Sequence, residues 1–447
     1  MDRPTALSAR VRRGYALGSV ATGTFGTVPG LLLLPYLTDT LGIGAAVAGA
    51  IVFVPKAWDV VLNPVAGRIS DRSASPRGRR RPFLLRAGLA LALCFALLFA
   101  GPPGSVWVSG TYVVVLFVAC ATAYAFFQVP YIAMPAEMTQ DYTERTRLMT
   151  WRVAVLALAI LVSGATAPAI RDAVGGRDGY RAMGVFVALL LVAGVVGAYR
   201  GTRDAPALAV ATASGTLRDQ LRLVAGAREF RVLLGTFCVQ ALAVGAMLAA
   251  VDYVARNLLG GSGASTVLFA CFVGPALLVT PLWERFSARR GKKAGYTAAS
   301  ALLALGALGL LSANGGPVAV VYASVTVAGV GYAGAQVFPL AMLPDVAAVD
   351  ARRTGENRIG VFTGVWTAGE TLGLALGPGL YAAILAVGGY VSTREATVVQ
   401  PDSALTAITW GFSVVPAVLV ALSLLILHRY RLDADLSAPR PEEPHAT

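Results

Sequence analysis

Val54–Arg86 reads VPKAWDVVLNPVAGRISDRSASPRGRRRPFLLR. Lys56 and Asp59 stand three residues apart inside an apolar run, so on a helix they share one face. Arginines then crowd together at 68, 72, 77, 79, 80 and 81, and apolar sequence resumes at Pro82. A charge at the centre of a bilayer costs about 2.5–3.5 kcal/mol even on a lenient insertion scale, so an intramembrane Lys/Asp pair implies a function. A basic loop between two apolar segments fixes which side faces the cytoplasm.

Working outward, the chain has 447 residues, 56% of them hydrophobic and only 14% charged, with a mean hydropathy of +0.67. That is too apolar for a soluble protein of this length. Segments of about 20 apolar residues can cross a membrane as helices, and twelve are expected: 15–37, 45–67, 82–101, 107–133, 153–170, 182–199, 232–255, 265–283, 295–313, 317–342, 360–387 and 404–427. A spanning barrel would show ten-residue alternation instead. With both termini placed in the cytoplasm, only Arg171, Arg177, Arg181, Arg256 and Arg394 fall on the far side, and Lys56 lies within a span. The other basic residues face inward, the positive-inside pattern. The net charge of +13 therefore needs no nucleic acid to explain it. The expected location is the cell membrane.

Several chemistries find no support. Cys94, Cys120, Cys238 and Cys271 all sit in spans without paired spacing, so neither a disulfide nor a metal framework is expected. No phosphate-cradling G-x-x-x-x-G-K-[ST] loop occurs, and no histidine falls in a span to build a catalytic constellation. Neither a cofactor nor an enzymatic activity is expected. No cleavable signal is expected before the first span.

Residues 201–231 interrupt the apolar pattern with small and charged residues, read as a linker with a short interfacial helix near 214–226. It separates six spans (1–200) from six more and a short tail (232–447). Asp71-Arg72 and Gly78-Arg79-Arg80 in the first half are matched at one common offset by Glu284-Arg285 and Gly291-Lys292-Lys293 in the second. The expected fold is all-α, twelve transmembrane helices in two pseudo-symmetric six-helix bundles, an architecture of transporters. The repeated loops serve either as topogenic clusters or as a charge-paired latch. Glu137, followed by Arg145 and Arg147, and Asp345, followed by Arg352, Arg353 and Arg358, read as further cytoplasmic gate charges.

WDVVLNPVAGRISDRSASPRGRRRPFLL, VPYIAMPAEMTQDYTERTRLMTWR and FPLAMLPDVAAVDARRTGENRIGVFTGVWTAGETLGLALGPGL together resemble the glycoside–pentoside–hexuronide:cation symporters of the major facilitator superfamily. The resemblance implies a central site, alternating access, and a sugar moved with Na+, Li+ or H+. It also implies roles for particular residues. Asp59 matches the cation-site aspartate. The next acid, one turn on, is Asn63 here, and the third, before Val129-Pro130, is Gln128. The sugar-binding aspartate of span 1 falls at about Gly23. Lys56 stands where arginine is common, Arg152 matches an arginine beside the substrate, and Glu370 stands at a lysine position.

These departures have a physical consequence. Na+ prefers several oxygen ligands, and here one carboxylate remains, with Asn63 and Gln128 offering neutral oxygens. A single desolvated acid suits a proton better. The expectation is that Asp59 carries the coupling proton, with Na+ less favoured, and that Lys56 is its partner; a static Lys56–Asp59 ion pair is the alternative.

Polar and aromatic stripes suggest where a solute binds: Thr22 and Thr24 around Gly23; Tyr124, Gln128 and Tyr131; Asp252 and Tyr253; Tyr332 and Gln336; Trp366 and Glu370. Glu370 contacts solute or proton, or pairs with Arg152 or Lys56. Asp252 and Arg256, four apart, pair with each other or close an outer gate. The sequence supports a monomeric transporter of a small sugar-like solute, with a lysolipid, drug or other amphipathic metabolite as alternative cargo, possibly moved outward. The short loops leave little for a receptor or scaffold.

Overall fold

A computed structural model describes residues 7–71, 73, 80–101, 104–139, 141–206, 226–261, 263–354, 359–393 and 399–431. The interfacial helix expected near 214–226 lies outside these residues, save Gly226. The described chain is helical, with no strand. In order the helices are α1 (Ala9–Pro35), α2 (Ala45–Asp71), α3 (Arg81–Leu98), α4 (Val106–Met138), α5 (Tyr142–Val174), α6 (Gly176–Gly201), α7 (Arg228–Val254), α8 (Ala264–Arg290), α9 (Lys292–Gly309), α10 (Val318–Thr354), α11 (Ile359–Val387), α12 (Asp402–Phe412) and α13 (Val414–His428). Twelve helical segments are long and apolar enough to cross a membrane, with α12 and α13 forming one between them. The chain is a multi-pass membrane protein.

The helices overrun the apolar windows because their first and last turns are polar. The fifth span was expected over 153–170, but α5 begins at Tyr142, where the Asp141 carboxylate caps it by accepting from the Glu144 amide at 2.7 Å. The last span breaks at Ser413, whose hydroxyl donates to the Thr409 carbonyl at 2.6 Å; such back-bonding bends helices.

Within the first half α1 packs on α5 and α6, α4 packs on α2 and α3, and α3 meets α6. In the second half α7 packs on α11 and α13, α10 packs on α8 and α9, and α9 meets α13. Small residues permit the closest crossings. Gly14 faces Gly201, and Gly245 faces Gly377, so that a Cβ on any of them would strike the opposite backbone. The halves meet along α2–α11, α5–α8 and α1–α7.

Candidate functional site

Because the spans alternate in direction, the described termini and the C-terminal ends of α2, α4, α8 and α10 share one face of the molecule, the terminal face. The α1–α2, α5–α6, α7–α8 and α11–α12 connections form the opposite face.

At the opposite face the halves are tied by charge. Asp252 (α7), fully buried, receives Arg171 (α5) at 2.7 Å and Arg256 at 3.0 Å as ionic contacts, and accepts a hydrogen bond from Ser265 at 2.8 Å. Arg171, itself 2% exposed, also pairs with Asp172 at 2.7 Å. Arg256 reaches Asp39 at 3.8 Å and donates to the Tyr180 hydroxyl at 3.2 Å. Tyr390 donates to Asp39 at 2.9 Å, and the Thr38 and Tyr253 hydroxyls meet at 2.7 Å. Sequence reasoning found Asp252 with Arg256 but missed Asp39, Arg171, Tyr180 and Tyr390, which come from distant helix ends and follow no short spacing.

The ion pairs among described residues near the terminal face each stay within one half. Arg80 at the start of α3 meets Glu137 at the end of α4 at 2.6 Å, and Lys292 at the start of α9 meets Asp345 at the end of α10 at 2.5 Å. These equivalent pairs staple the third span of each half to its fourth. Arg147 pairs with Glu144 at 2.8 Å, and Arg12 with the same carboxylate at 3.2 Å. Glu284 and Arg285, expected in a latch, are exposed and form no ion pair with a described residue. The Asp71 side chain, Arg72, Arg79 and Arg358 lie outside the described residues.

Between these faces lies a set of charges left unpaired. Asp59 is 3% exposed, and its Oδ1 is buried without a partner, as is the Oδ1 of Asn63 one turn on. The static Lys56–Asp59 ion pair, the alternative reading, is absent. Lys56 feels the charge of Asp59 but lies outside 4.0 Å, and its ammonium instead sits over the Phe25 ring of α1, 5.2 Å from the centroid. A helical i, i+3 spacing places two residues on one face without making their side chains converge, and the aromatic face draws Lys56 aside. Tyr124 packs on Phe25 with centroids 4.5 Å apart, and its phenol lies within electrostatic range of Asp59, Arg152 and Glu370. It thus marks the point round which the three charges gather. Gln128 sits one turn along the same face and makes no hydrogen bond.

Arg152 lies over the Tyr131 ring at 5.7 Å, with Nε buried and unpartnered. Glu370 meets neither Arg152 nor Lys56, so the alternative of an ion pair across the halves is absent. Its carboxylate has no ion-pair or hydrogen-bond partner among the described residues, and it lines a small cleft with Gln336, Tyr332 and Phe237. Three expectations need correction. Gly23 points at α5, where a Cβ would meet the Leu156 carbonyl and Ala159, so it serves helix packing and not solute contact. Trp366 is 1% exposed and stacked on Phe237 at 4.4 Å, inside the second bundle. Tyr131 is spent in the core, its hydroxyl bonded to the Tyr15 carbonyl and Ser19. Sequence reasoning also missed Gln240, which donates to Ser300 (2.8 Å) and Ser423 (2.9 Å) and accepts from Tyr296 (3.0 Å).

A larger groove, about 890 Å³, lies elsewhere, between α3 and the other side of α4. Ala119, Thr122, Ala123 and Phe126 line it at helical spacing, a stripe distinct from the one bearing Tyr124 and Gln128. The charges of the central site do not reach it.

A model of the MFS/sugar transport protein family matches residues 14–434. The chain belongs to that family. Over 436 residues it is 26% identical to the glucuronide carrier protein homolog of Escherichia coli, covering 95% of this chain and 93% of the relative. It is 24% identical to the sodium-dependent lysophosphatidylcholine symporter 1-A of Danio rerio, over 97% of this chain and 88% of that one. Among solved structures, a bacterial homolog of the human lysosomal transporter Spinster superposes with a TM-score of 0.66 at 13% identity, covering 94% and 95% of the two chains. At that identity the superposition speaks for the fold. Family and relatives are transporters, and the twelve spans are the major facilitator fold.

Proposed function

We propose that this family member is a secondary active transporter that carries a sugar- or glycoside-like solute by alternating access, coupled to H+ in preference to Na+. Asp59 carries the argument. It is a carboxylate inside a transmembrane helix with a buried oxygen that nothing satisfies, beside Asn63 in the same condition. Buried polar groups without partners are costly, and such a group in a span belongs on an ion or proton path. One carboxylate with a lysine in range offers little to a hard cation that needs several oxygens, whereas protonation removes the charge outright. Lys56 is placed to answer Asp59 when the proton leaves. Arg152, Tyr124, Gln128 and Glu370 then face the solute.

With the termini cytoplasmic, in the cell membrane, the charge network around Asp252 is an outer gate in its closed state, and the protein works as a monomer. Purified protein in liposomes tests the coupling. An inward proton gradient should drive glycoside uptake in the wild type and not in Asp59→Asn, while a Na+ gradient at fixed pH should add little. Uptake by Asp59→Asn at the wild-type rate would sink the assignment.

A second reading keeps the fold and changes the cargo to a lysolipid or other amphipathic metabolite. The apolar groove of about 890 Å³ on α3 and α4 favours it, as does the similarity to a lysophosphatidylcholine symporter. Competition of glycoside uptake by lysolipids separates the two.

A further inference from the structure

The cleft under Glu370 is the most selective feature of the second half. Its polar lining comes from Gln240, Tyr332, Gln336 and Glu370, and its apolar walls include Phe237, Val244 and Leu374. Gln240 is fully spent on Tyr296, Ser300 and Ser423. Gln336 uses its amide N–H to donate to the Tyr332 hydroxyl at 2.9 Å, which leaves its carbonyl oxygen free. Glu370 has no cation within 4.0 Å and no hydrogen-bond donor, though it lies within electrostatic range of Tyr332 on its own half and of Tyr124 across the interface. Besides the Tyr332 O–H and the second Gln336 N–H, whose acceptors no described residue supplies, the cleft thus offers two free acceptors, a carboxylate and an amide carbonyl, and only the carboxylate carries a charge.

The volume, about 10 Å³, has room for one water-sized group. A neutral hydroxyl would satisfy an oxygen and leave the charge uncompensated, whereas a cation compensates it. A primary ammonium is of that size and carries three donors and no acceptor. A trimethylammonium head offers neither oxygen an N–H donor.

We propose that Glu370 and Gln336 form a subsite for a primary ammonium group, so that the preferred cargo is an amine-bearing polar solute such as an amino sugar. This deepens the proposed function and rests on the central charges being the solute site.

The test is ligand binding to the purified full-length protein in detergent, read as a shift in melting temperature and as Kd. The probes are glucosamine, glucose, N-acetylglucosamine, ethanolamine, choline, NaCl and LiCl. Glucosamine should bind at least tenfold tighter than glucose or N-acetylglucosamine, and ethanolamine tighter than choline. Glu370→Gln should erase both preferences while keeping the ligand-free melting temperature. The wild-type panel alone decides the matter if that variant fails to fold. Equal binding of glucose and glucosamine overturns the ammonium subsite and leaves sugar transport standing. A stabilisation by Na+ or Li+ that depends on Glu370 overturns it in favour of an alkali-ion site. Binding of none of the sugars or amines overturns the subsite together with the sugar reading.

Discussion

Two groups of buried charges, one at the face opposite the termini and one midway between the faces, obey different rules. Around Asp252 every charge has its complement: two arginines on one carboxylate, a second acid on each arginine, hydroxyls on what remains. Around Tyr124 the charges stand apart, Asp59 buried and the others half-buried: Lys56 over a ring, Arg152 over another, Asp59 and Glu370 with no counter-ion in contact among the described residues. Buried charge is tolerable when paired and costly when not. The first group has spent its energy on holding two halves together. The second keeps its unsatisfied groups for something that arrives and leaves, as a transport site must.

The contrast is open to attack by substitution. The largest effect is expected at Asp252. Asp252→Ala leaves Arg171 with Asp172 and Arg256 with the more distant Asp39, and breaking a buried pair from one side costs up to about 3–5 kcal/mol. The melting temperature in detergent should fall steeply, and a cysteine placed at Ser265 should become reactive to polar thiol reagents. Asp59→Asn should do the reverse: gradient-driven uptake falls to background while the melting temperature holds or rises, because a stranded charge has been removed. If both variants lose stability alike, the two groups are not different in kind.

Gln240 provides an intermediate case, a neutral hub with every hydrogen bond made. Gln240→Leu removes its partners' bonds and leaves Tyr296 without an acceptor, a loss of about 1–3 kcal/mol that chemical unfolding of wild type and variant would measure.

The spans and their division into halves were legible because apolar length is a property of contiguous sequence. The residues of the central site were legible as types: Asp59, Lys56, Gln128, Arg152 and Glu370 each interrupt an apolar or packing surface. Their contacts were not. Spacing on α2 puts Lys56 and Asp59 on one face, but Phe25, on a different helix, decides where the ammonium goes. Gly23 looked like a vacated ligand position, and only the approach of α5 reveals a packing role. The Asp39–Arg171–Asp252–Arg256 network joins four helix ends from across the chain, and nothing local marks Arg171 as buried in place of lining a loop.

The smallest effect concerns the two staples at the terminal face. Arg80–Glu137 and Lys292–Asp345 occupy equivalent places in the two halves, yet their side chains differ in exposure, 13% and 14% against 38% and 27%. An exposed pair is screened by solvent and contributes about 0.2–1 kcal/mol at most, whereas Arg80 Nε meets Glu137 at 2.6 Å away from solvent. Double-mutant cycles, Arg80→Ala with Glu137→Ala and Lys292→Ala with Asp345→Ala, should therefore give a clear coupling in the first half and a coupling near zero in the second. Raising the salt should shrink the second and leave the first largely intact. Equal, salt-sensitive couplings would mean that burial at this face does not separate the halves, and that the pairing rule drawn from the Asp252 network ends before it reaches the terminal side.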